Sequence, residues 1–408
     1  MKRLLKIVWR CQPVKLRQWE RAVVTLFLTR KVDPERQILP GNVVVAGFFG
    51  TASGIATIAR HMLRQFNDNH IPALAANLSH LATTDIEAGP LWPENAGTDG
   101  AVIFNANPDM MSIAMAAIGW ARLRTRRIIA IWAWELETVP SGWITAMRAV
   151  DEVWVPSKFI ADALKRAAPE KPVYVVPPPM DVAAMPTAPR QDPLPQFAGR
   201  PVVFFMYDVN SVHARKNPEA VIEAFRRATL NDSTPLLVLK ISNDHVWPES
   251  YERVQKAIAD IANVHIIREK LPYETVKDLL ARADIVLSLH RSEGFGFLMA
   301  EAMAAAKPVI ATGWSANTGF MTRECSVLID YKLVPISDPQ HVYDSYKAVW
   351  AEPDIAQAAS ELRRLLDDPA ERKRLGQAAR NHIMSYMSAQ NGLKNLPQSF
   401  WNVVKTQE

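Results

Sequence analysis

The sequence has little of several features that define common classes of protein. It holds only two cysteines, Cys11 and Cys325, which excludes a disulfide framework and a zinc site built on cysteine spacing. So few cysteines are typical of a reducing compartment, and we expect a cytoplasmic protein. No apolar run reaches the roughly 18 residues that a membrane-spanning helix needs. The basic N-terminus lacks the apolar core and cleavage site of a signal peptide.

The charged residues also do not indicate one particular class of partner. The chain has 47 Lys and Arg against 42 Asp and Glu, a net charge of +5, and its basic residues are scattered. We therefore expect no nucleic-acid partner, although a nucleotide or an anionic membrane surface remains compatible with this charge. No Asp-x-Asp motif stands beside a candidate substrate loop, so no metal is expected.

The first 31 residues are basic and contain Trp9 and Trp19. Two interpretations are open for this segment. It is either a solvated helical lead-in or an interfacial anchor that makes peripheral contact with the inner face of a membrane.

Strands alternate with helices in two series, separated by a segment rich in proline. The first series opens with NVVVAGFF (42–49) and includes a strand–turn–helix unit in which Ser157 is the expected N-cap. The second series opens with VVFFMYD (202–208). Alternation of this kind predicts an α/β protein with two Rossmann-like parallel-sheet domains. The site of such a protein is expected between the domains, at the carboxyl ends of the strands.

The domain boundaries follow from this pattern. The predicted segments are an N-terminal Rossmann-like domain (1–180), a Pro-rich linker (181–200), a C-terminal Rossmann-like domain (201–385) and a tail (386–408). One interpretation of the tail is that it crosses back to the first domain.

The stretch LHRSEGFGFLMAEAMAAAKPVIAT (289–312) combines a glycine loop, a helix and two carboxylates. Glycines let a backbone approach an anion closely, and a helix N-terminus carries partial positive charge, so the loop is suited to a diphosphate. Glu293 in the loop would then face the transferred group, and Glu301 in the helix would accept hydrogen bonds from a ribose. The alternative is that Glu301 complements the helix dipole and Glu293 is a surface residue. The loop residues assigned to donor binding are Gly294, Phe295, Gly296 and Phe297.

The pattern E-x(7)-E within EGFG…EAMA…KPVIAT resembles the retaining GT-B glycosyltransferases of family 4. YDVNSVHARKNPEAVIEAF (207–225) and WAWELE (132–137) are similar to one bacterial branch, which includes mannosyltransferases of surface polysaccharides. The resemblance extends from about residue 42 to about residue 385. It implies a GT-B fold, in which two Rossmann-like domains face each other across a cleft.

The same resemblance implies the activity. A hexose, with mannose favoured, would pass from a nucleotide diphosphate sugar, with GDP-mannose favoured, to a polysaccharide or lipid-linked saccharide acceptor. No cofactor is implied, and the leaving phosphate itself is the usual base in the family. Two other functions share the fold: an inactive scaffold that binds nucleotide sugars, and a sugar phosphorylase or sugar-phosphate synthase.

The family's basic pair on the donor diphosphate matches Arg215 and Lys216, which are adjacent here although many relatives space them. Asn217 is the expected cap of the following helix, and Pro218 suits its first position. Lys240, at the end of LLVLK, either faces the donor or is a surface lysine.

In the first domain, GFFGTASGIATIAR (47–60) resembles the family's acceptor-side glycine loop, with Gly50, Ser53 and Gly54 before a helix. Its glycine spacing does not fit the dinucleotide fingerprint, so NAD is not expected. Many relatives carry a histidine near WAWELE that contacts the transferred sugar. This chain has none there, and Glu135 is the candidate catalytic replacement. Asn107 either lines the acceptor pocket or forms a turn.

Overall fold

The computed structural model describes residues 16, 20, 23, 25–51, 54–82, 89–343, 347–390 and 393–405. The chain divides into two compact units. The first unit comprises Met1–Met180 and Gln390–Glu408, and the second comprises Asp181–Ala389. The Pro-rich residues that precede 201 therefore belong to the second unit, where Arg190 pairs with Asp278 at 3.0 Å. Within the described residues, no helix is long and apolar enough to cross a bilayer.

The first unit is built on six parallel strands. They are β1 Val43–Gly47, β2 Ala73–Asn77, β3 Ala101–Asn105, β4 Arg127–Ile131, β5 Glu152–Val155 and β6 Val173–Val175, in the order β2-β1-β3-β4-β5-β6. Central strands such as β1 and β3 are buried along their whole length. Burial on both faces explains their continuous apolar runs, because helices cover each side of a parallel sheet.

The helices of the first unit follow these strands. They are α1 Gly54–Asp68, α2 Ser79–Ala82, α3 Pro108–Ile118, α4 Ser141–Ala146 and α5 Lys158–Ala167. Ser157 caps α5 as predicted, because its hydroxyl accepts a hydrogen bond from the Ile160 amide at 3.5 Å.

The C-terminal segment 393–405 packs onto the sheet of the first unit. Gly41 forms a parallel bridge with Val404. Phe400 is fully buried against Phe66 and Trp154, with ring centroids 5.5 and 5.6 Å apart. Burial of a phenylalanine contributes about 1.5–3 kcal/mol, so this segment is an integral part of the first unit.

The second unit is also built on six parallel strands, with a separate hairpin. The strands are β7 Val202–Asp208, β8 Leu236–Ser242, β9 Val264–Ile267, β10 Ile285–Ser288, β11 Val309–Thr312 and β12 Val327–Ile329, in the order β12-β11-β10-β7-β8-β9. The antiparallel hairpin joins β13 Tyr331–Pro335 to β14 Val349–Pro353. The prediction of two parallel-sheet α/β domains is thus confirmed, whereas the hairpin was not predicted.

The helices of the second unit are α6 His213–Lys216, α7 Pro218–Ala228, α8 Glu249–Ala257, α9 Tyr273–Arg282, α10 Phe297–Ala304, α11 Ile355–Asp367 and α12 Pro369–Gln390. The last helix of the chain, α13 Gln398–Trp401, belongs to the first unit. Four helices of the second unit, α7, α8, α11 and α12, contribute buried residues to one core on this sheet. Helices α7 and α11 pack together, and Val221, Phe225, Leu239 and Leu362 are fully buried there. This core fixes the loops at the carboxyl ends of β7, β10 and β11, where ligands of such sheets bind.

Candidate functional site

A short basic helix lies beyond the carboxyl end of β7, between two residues with left-handed backbone. Val212 has a φ of 67°, and Asn217, after α6, has a φ of 56°. Positive φ is strained for a β-branched residue, and such strain is concentrated at functional sites. Asn217 occupies the N-cap position of the helix Pro218–Ala228 as predicted, but its side chain donates to the Leu289 carbonyl at 3.0 Å and makes no cap hydrogen bond. Pro218 does occupy the first turn of α7.

Arg215 and Lys216 of α6 converge on Glu293, which follows β10. The Lys216 ammonium donates to Glu293 Oε1, and Arg215 Nη1 lies 3.3 Å from Oε2. Arg215 is only 2% exposed and also donates to the carbonyls of Ser211 and Ser292, at 3.0 and 2.7 Å. The three ionised side chains carry one net positive charge in a buried setting. This ion triad is therefore suited to an anionic ligand.

The ionisation of Glu293 is set by its two cationic neighbours. Burial by itself would raise the pKa of the Glu293 carboxyl, but the charges of Lys216 and Arg215 outweigh it and hold the pKa at about 2. Glu293 is therefore a carboxylate at neutral pH, able to accept hydrogen bonds but not to supply a proton.

The acidic loop leads directly into α10, whose N-cap is Gly296. Gly296 has a φ of 102°, and a Cβ there would lie 2.6 Å from Met299 Cε and 3.3 Å from Asn317 Cβ. The glycine is thus required by its conformation, and an added Cβ would also force the Met299 methyl to move. Phe295 is 4% exposed and packs on the rings of Phe297 and Phe320. Phe295 therefore anchors the loop in the core, and Gly294 beside it is buried.

We expect Gly296→Ala to lower the free energy of unfolding by more than Gly199→Ala does. Both glycines have positive φ, but a Cβ at Gly199 meets nothing within 4 Å. Conformation alone costs an alanine about 1–2 kcal/mol at such a position, and Gly296→Ala adds the clash with Met299. Chemical denaturation of the two variants measures the difference. Equal losses would show that space around Gly296 does not matter.

The loop after β11 holds the acidic loop in place, a role that the sequence analysis missed. The Glu293 amide donates to Ser315 Oγ at 2.8 Å, and the Glu293 carbonyl accepts from the Ala316 amide at 3.3 Å. Ser315 has a φ of 71°, again in the left-handed region. The sequence did contain a pattern that predicts this role. The residues SANT (315–318) follow β11, and ligand-binding loops lie at the carboxyl ends of parallel strands.

Glu301 lies within α10 and is 8% exposed. Its Oε1 accepts a hydrogen bond from the Tyr273 hydroxyl at 2.7 Å. Burial raises the pKa of Glu301 to about 7, against the opposing effects of the Tyr273 hydrogen bond and the Lys277 charge. A buried carboxyl with so high a pKa is characteristic of ligand-binding and catalytic sites.

Lys240, which was also predicted at the donor site, and the two residues before the acidic loop have different surroundings. Lys240 is 4% exposed, so it is not a surface lysine, and it donates to Ser242 Oγ at 3.0 Å and to the Ile241 carbonyl. Burial lowers the pKa of Lys240. His290 is fully buried, which lowers its pKa to about 4 and keeps it neutral. Arg291 pairs with Glu352 of β14 at 2.7 Å, a contact that fastens the hairpin to the acidic loop.

In the first unit, the predicted residues lie at the carboxyl ends of β1, β3 and β4. The Gly50 amide donates to Ser79 Oγ at 3.0 Å, and Gly54 begins α1; Ser53 lies outside the described residues. Asn107 occupies the N-cap position of α3, and its Oδ1 accepts from the Ala133 amide at 3.0 Å. This bond ties together the loops after β3 and β4.

Glu135 stands in the loop after β4, partly exposed between two buried neighbours. The tryptophans around it form an aromatic cluster: Trp143 packs against Trp132 and Trp134, with ring centroids 5.3 and 5.0 Å apart. The packed tryptophans hold in place the loop that contains Glu135. Across the described ranges, no group of three or more His, Cys, Asp or Glu residues could hold a metal ion.

The chain is similar to known proteins both in part of its sequence and in its fold. Residues 195–321 match the family described as "Glycosyl transferases group 1". The chain matches no curated protein. Among solved structures, it is similar to the sucrose-phosphate synthase of Thermosynechococcus elongatus (TM-score 0.61, 15% identity), with 86% of this chain and 96% of that chain covered. It is also similar to Anabaena Alr3699/HepE in complex with UDP and glucose (TM-score 0.60, 14% identity), with 86% and 97% covered.

A third similar structure is TarM of S. aureus (TM-score 0.54, 15% identity), in which 75% of this chain and 55% of that chain are covered. The chain thus spans about half the length of TarM. At these identities the similarities establish the fold, which is GT-B. The matched residues 195–321 include the ion triad and Glu301.

Proposed function

We propose that this protein is a retaining glycosyltransferase that moves a hexose from a nucleotide diphosphate sugar to a saccharide hydroxyl. One observation carries the proposal: Glu293, paired with Arg215 and Lys216, lies three residues before Gly296, the N-cap of α10, and Glu301 lies within that helix. The E-x(7)-E motif of the sequence is thus paired with two cations, the buried Arg215 and the partly exposed Lys216.

The chemistry of the step follows from this arrangement. Cleavage of the bond between sugar and diphosphate leaves negative charge on the phosphate. Arg215, Lys216 and the amides at the start of α10 stabilise that charge, and preorganised electrostatics of this kind is usually the largest contribution to catalysis. Glu293 accepts hydrogen bonds from the hexose and Glu301 from the ribose. The departing phosphate accepts the proton of the attacking hydroxyl, so the new bond forms on the face from which the old one leaves.

The favoured donor is GDP-mannose, on the strength of the bacterial branch that the sequence resembles. HepE was solved with UDP and glucose, which makes UDP-glucose the second donor to test. The acceptor we propose is a polysaccharide or a lipid-linked saccharide. In the first unit, the proposed acceptor-side residues are Gly50, Ser53, Gly54 and Asn107. Glu135 is the proposed catalytic residue in contact with the transferred sugar.

The test is a reaction of the protein with each donor and a panel of saccharide acceptors, followed by NMR of the product. We expect release of one nucleoside diphosphate and a product with the anomeric configuration of the donor. A product of inverted configuration would refute the retaining mechanism. Donor binding without turnover, over all acceptors, would favour an inactive scaffold.

A sugar-phosphate synthase is the second candidate, because a sucrose-phosphate synthase is among the solved structures with this fold. It would use a sugar phosphate as acceptor. Activity with fructose 6-phosphate that exceeds activity with every neutral saccharide would therefore select this candidate over the first.

We also propose peripheral contact with the cytoplasmic face of a membrane. Residues 1–31 contain nine Lys or Arg and one acidic residue, and Leu26 and Phe27 in helical residues 25–28 are 57% and 81% exposed. Binding to vesicles that contain anionic lipid is expected to exceed binding to neutral vesicles and to fall with salt. Phe27→Ala should weaken it, while exposed Leu230→Ala should not. Equal flotation with both kinds of vesicle would contradict the proposal.

A further inference from the structure

Tyr273 is a half-exposed aromatic residue whose hydroxyl reaches a neighbouring helix. It opens α9, directly after Pro272, and 47% of its surface is exposed. Its hydroxyl lies 2.7 Å from Glu301 Oε1 in α10, 28 residues further along the chain. The ring is thus at the surface while its polar end is bound to the buried carboxyl that we assign to the ribose.

The charged groups around this pair come from α9 and from the start of the second unit. Tyr273 and Lys277 act on Glu301, while Glu274 and Asp181 act on Tyr273. The Lys277 ammonium is 5.3 Å from the centre of the Tyr273 ring and 2.6 Å from Glu274. Burial raises the pKa of the Tyr273 hydroxyl, which therefore stays protonated over the working pH range. The hydroxyl is consequently the donor in its bond to Glu301.

This bond has two consequences for the carboxyl. It fixes the orientation of the Glu301 side chain, as outer hydrogen bonds fix the ligands of many sites. It also uses only one of about four acceptor positions that a carboxylate offers, which leaves enough for the two hydroxyls of a ribose. Preorganisation of this kind lowers the cost of binding, because the side chain is ordered before the ligand arrives.

We propose that Tyr273 is a positioning residue for the nucleoside, holding Glu301 in the orientation that receives the ribose hydroxyls. The inference depends on the proposed function, and it adds a residue that the E-x(7)-E motif does not contain. In this proposal, the start of α9 helps to recognise the ribose of the nucleotide and not its phosphates.

The test is calorimetric titration of Tyr273→Phe, which keeps the ring and removes only the hydroxyl. The probes are GDP and UDP and their 2′,3′-dideoxy analogues, each titrated between pH 6 and pH 9. At pH 7 we expect about tenfold weaker binding of the ribonucleotide, in the range measured for a hydrogen bond to a charged group. The dideoxy analogue, which has no hydroxyls for Glu301, should bind wild type and variant alike.

The pH series separates the loss that comes from protonation of Glu301 from the loss of its orientation, which persists at pH 9. Removing the hydroxyl removes a group that lowers the pKa of Glu301, so more of the carboxyl is protonated at pH 7 in the variant. The difference from wild type should therefore shrink as the pH rises to 9. Tyr174→Phe, at a 38% exposed tyrosine in β6 of the first unit, is the control and should match wild type at every pH.

Three results would overturn the inference. Unchanged binding of the ribonucleotide by Tyr273→Phe would refute it while leaving the proposed function intact. An equal loss for the dideoxy analogue would show a structural role. Absence of binding of either nucleoside diphosphate by the wild-type protein would refute the proposed function, and this inference with it.

Discussion

Lys216→Met is expected to reduce kcat/KM for the nucleotide sugar by about 10²–10³-fold, the usual effect of removing one preorganised charge-stabilising group. Methionine keeps the apolar stem of the lysine and removes its charge. The ammonium of Lys216 stands beside Glu293, and in our account it stabilises the charge that develops on the leaving phosphate. Steady-state kinetics with the preferred donor measures the loss.

The control is Lys373→Met, which removes a lysine of the same unit from the exposed face of α12 and should leave kcat/KM unchanged. A folding defect in Lys216→Met can be told apart from a loss of catalysis by the pH dependence of the variant's stability. The depressed pKa of Glu293 contributes stability that is present above its ordinary value of 4.5 and lost as pH falls towards 2. Lys216→Met should therefore unfold at a higher pH than wild type on acidification. Kinetics within threefold of wild type would exclude Lys216 from the reaction.

Glu301→Gln is expected to weaken binding of the donor nucleotide while raising thermal stability above pH 7. The substitution keeps the shape of the side chain and an acceptor for the Tyr273 hydroxyl. It removes the negative charge to which the ribose hydroxyls would donate hydrogen bonds. Loss of hydrogen bonds to a charged group should weaken nucleotide binding by about 10–100-fold, as a pair of ribose hydroxyls is involved. Calorimetry with the preferred nucleoside diphosphate measures this loss.

The stability gain follows from the sign of the pKa shift. The folded protein holds the Glu301 proton up to a pKa of about 7, whereas the ordinary value is 4.5. Ionisation thus opposes folding, and the penalty grows as pH rises from 4.5 to 7, up to about 3 kcal/mol in principle. Glutamine is neutral at every pH, so the variant should melt higher than wild type at pH 8 and equally at pH 4. Glu361→Gln, at a carboxylate in α11 outside the candidate site, is the control. Normal donor affinity in Glu301→Gln would remove this residue from the site.

The parts of the fold that were predictable are those set by local pattern. Buried parallel strands such as β7 are continuous apolar runs, and their bounds follow from the sequence alone. The hairpin of β13 and β14 was missed because β13 is largely exposed and has no apolar alternation. Its position depends on the pairing of Arg291 with Glu352, a contact between residues 61 positions apart.

The candidate site shows the same division. The positions of Glu293 in a loop and Glu301 in the following helix were predicted from glycines and spacing. The pairing of Glu293 with Lys216, 77 residues away, was not, since we assigned the two side chains to different parts of the donor. The contact between Tyr273 and Glu301 likewise has no signature in either segment. Such contacts are set by how strands are ordered in the sheet, which residue spacing does not encode.

The most direct test of the account is calorimetric titration of the wild-type protein with GDP, UDP, ADP and NAD. The ion triad, the N-terminus of α10 and Glu301 together predict saturable binding of one nucleoside diphosphate in preference to the others, and that nucleotide names the donor. Binding of NAD alone, by a protein shown to be folded, would contradict the assignment of the second unit to a nucleotide sugar.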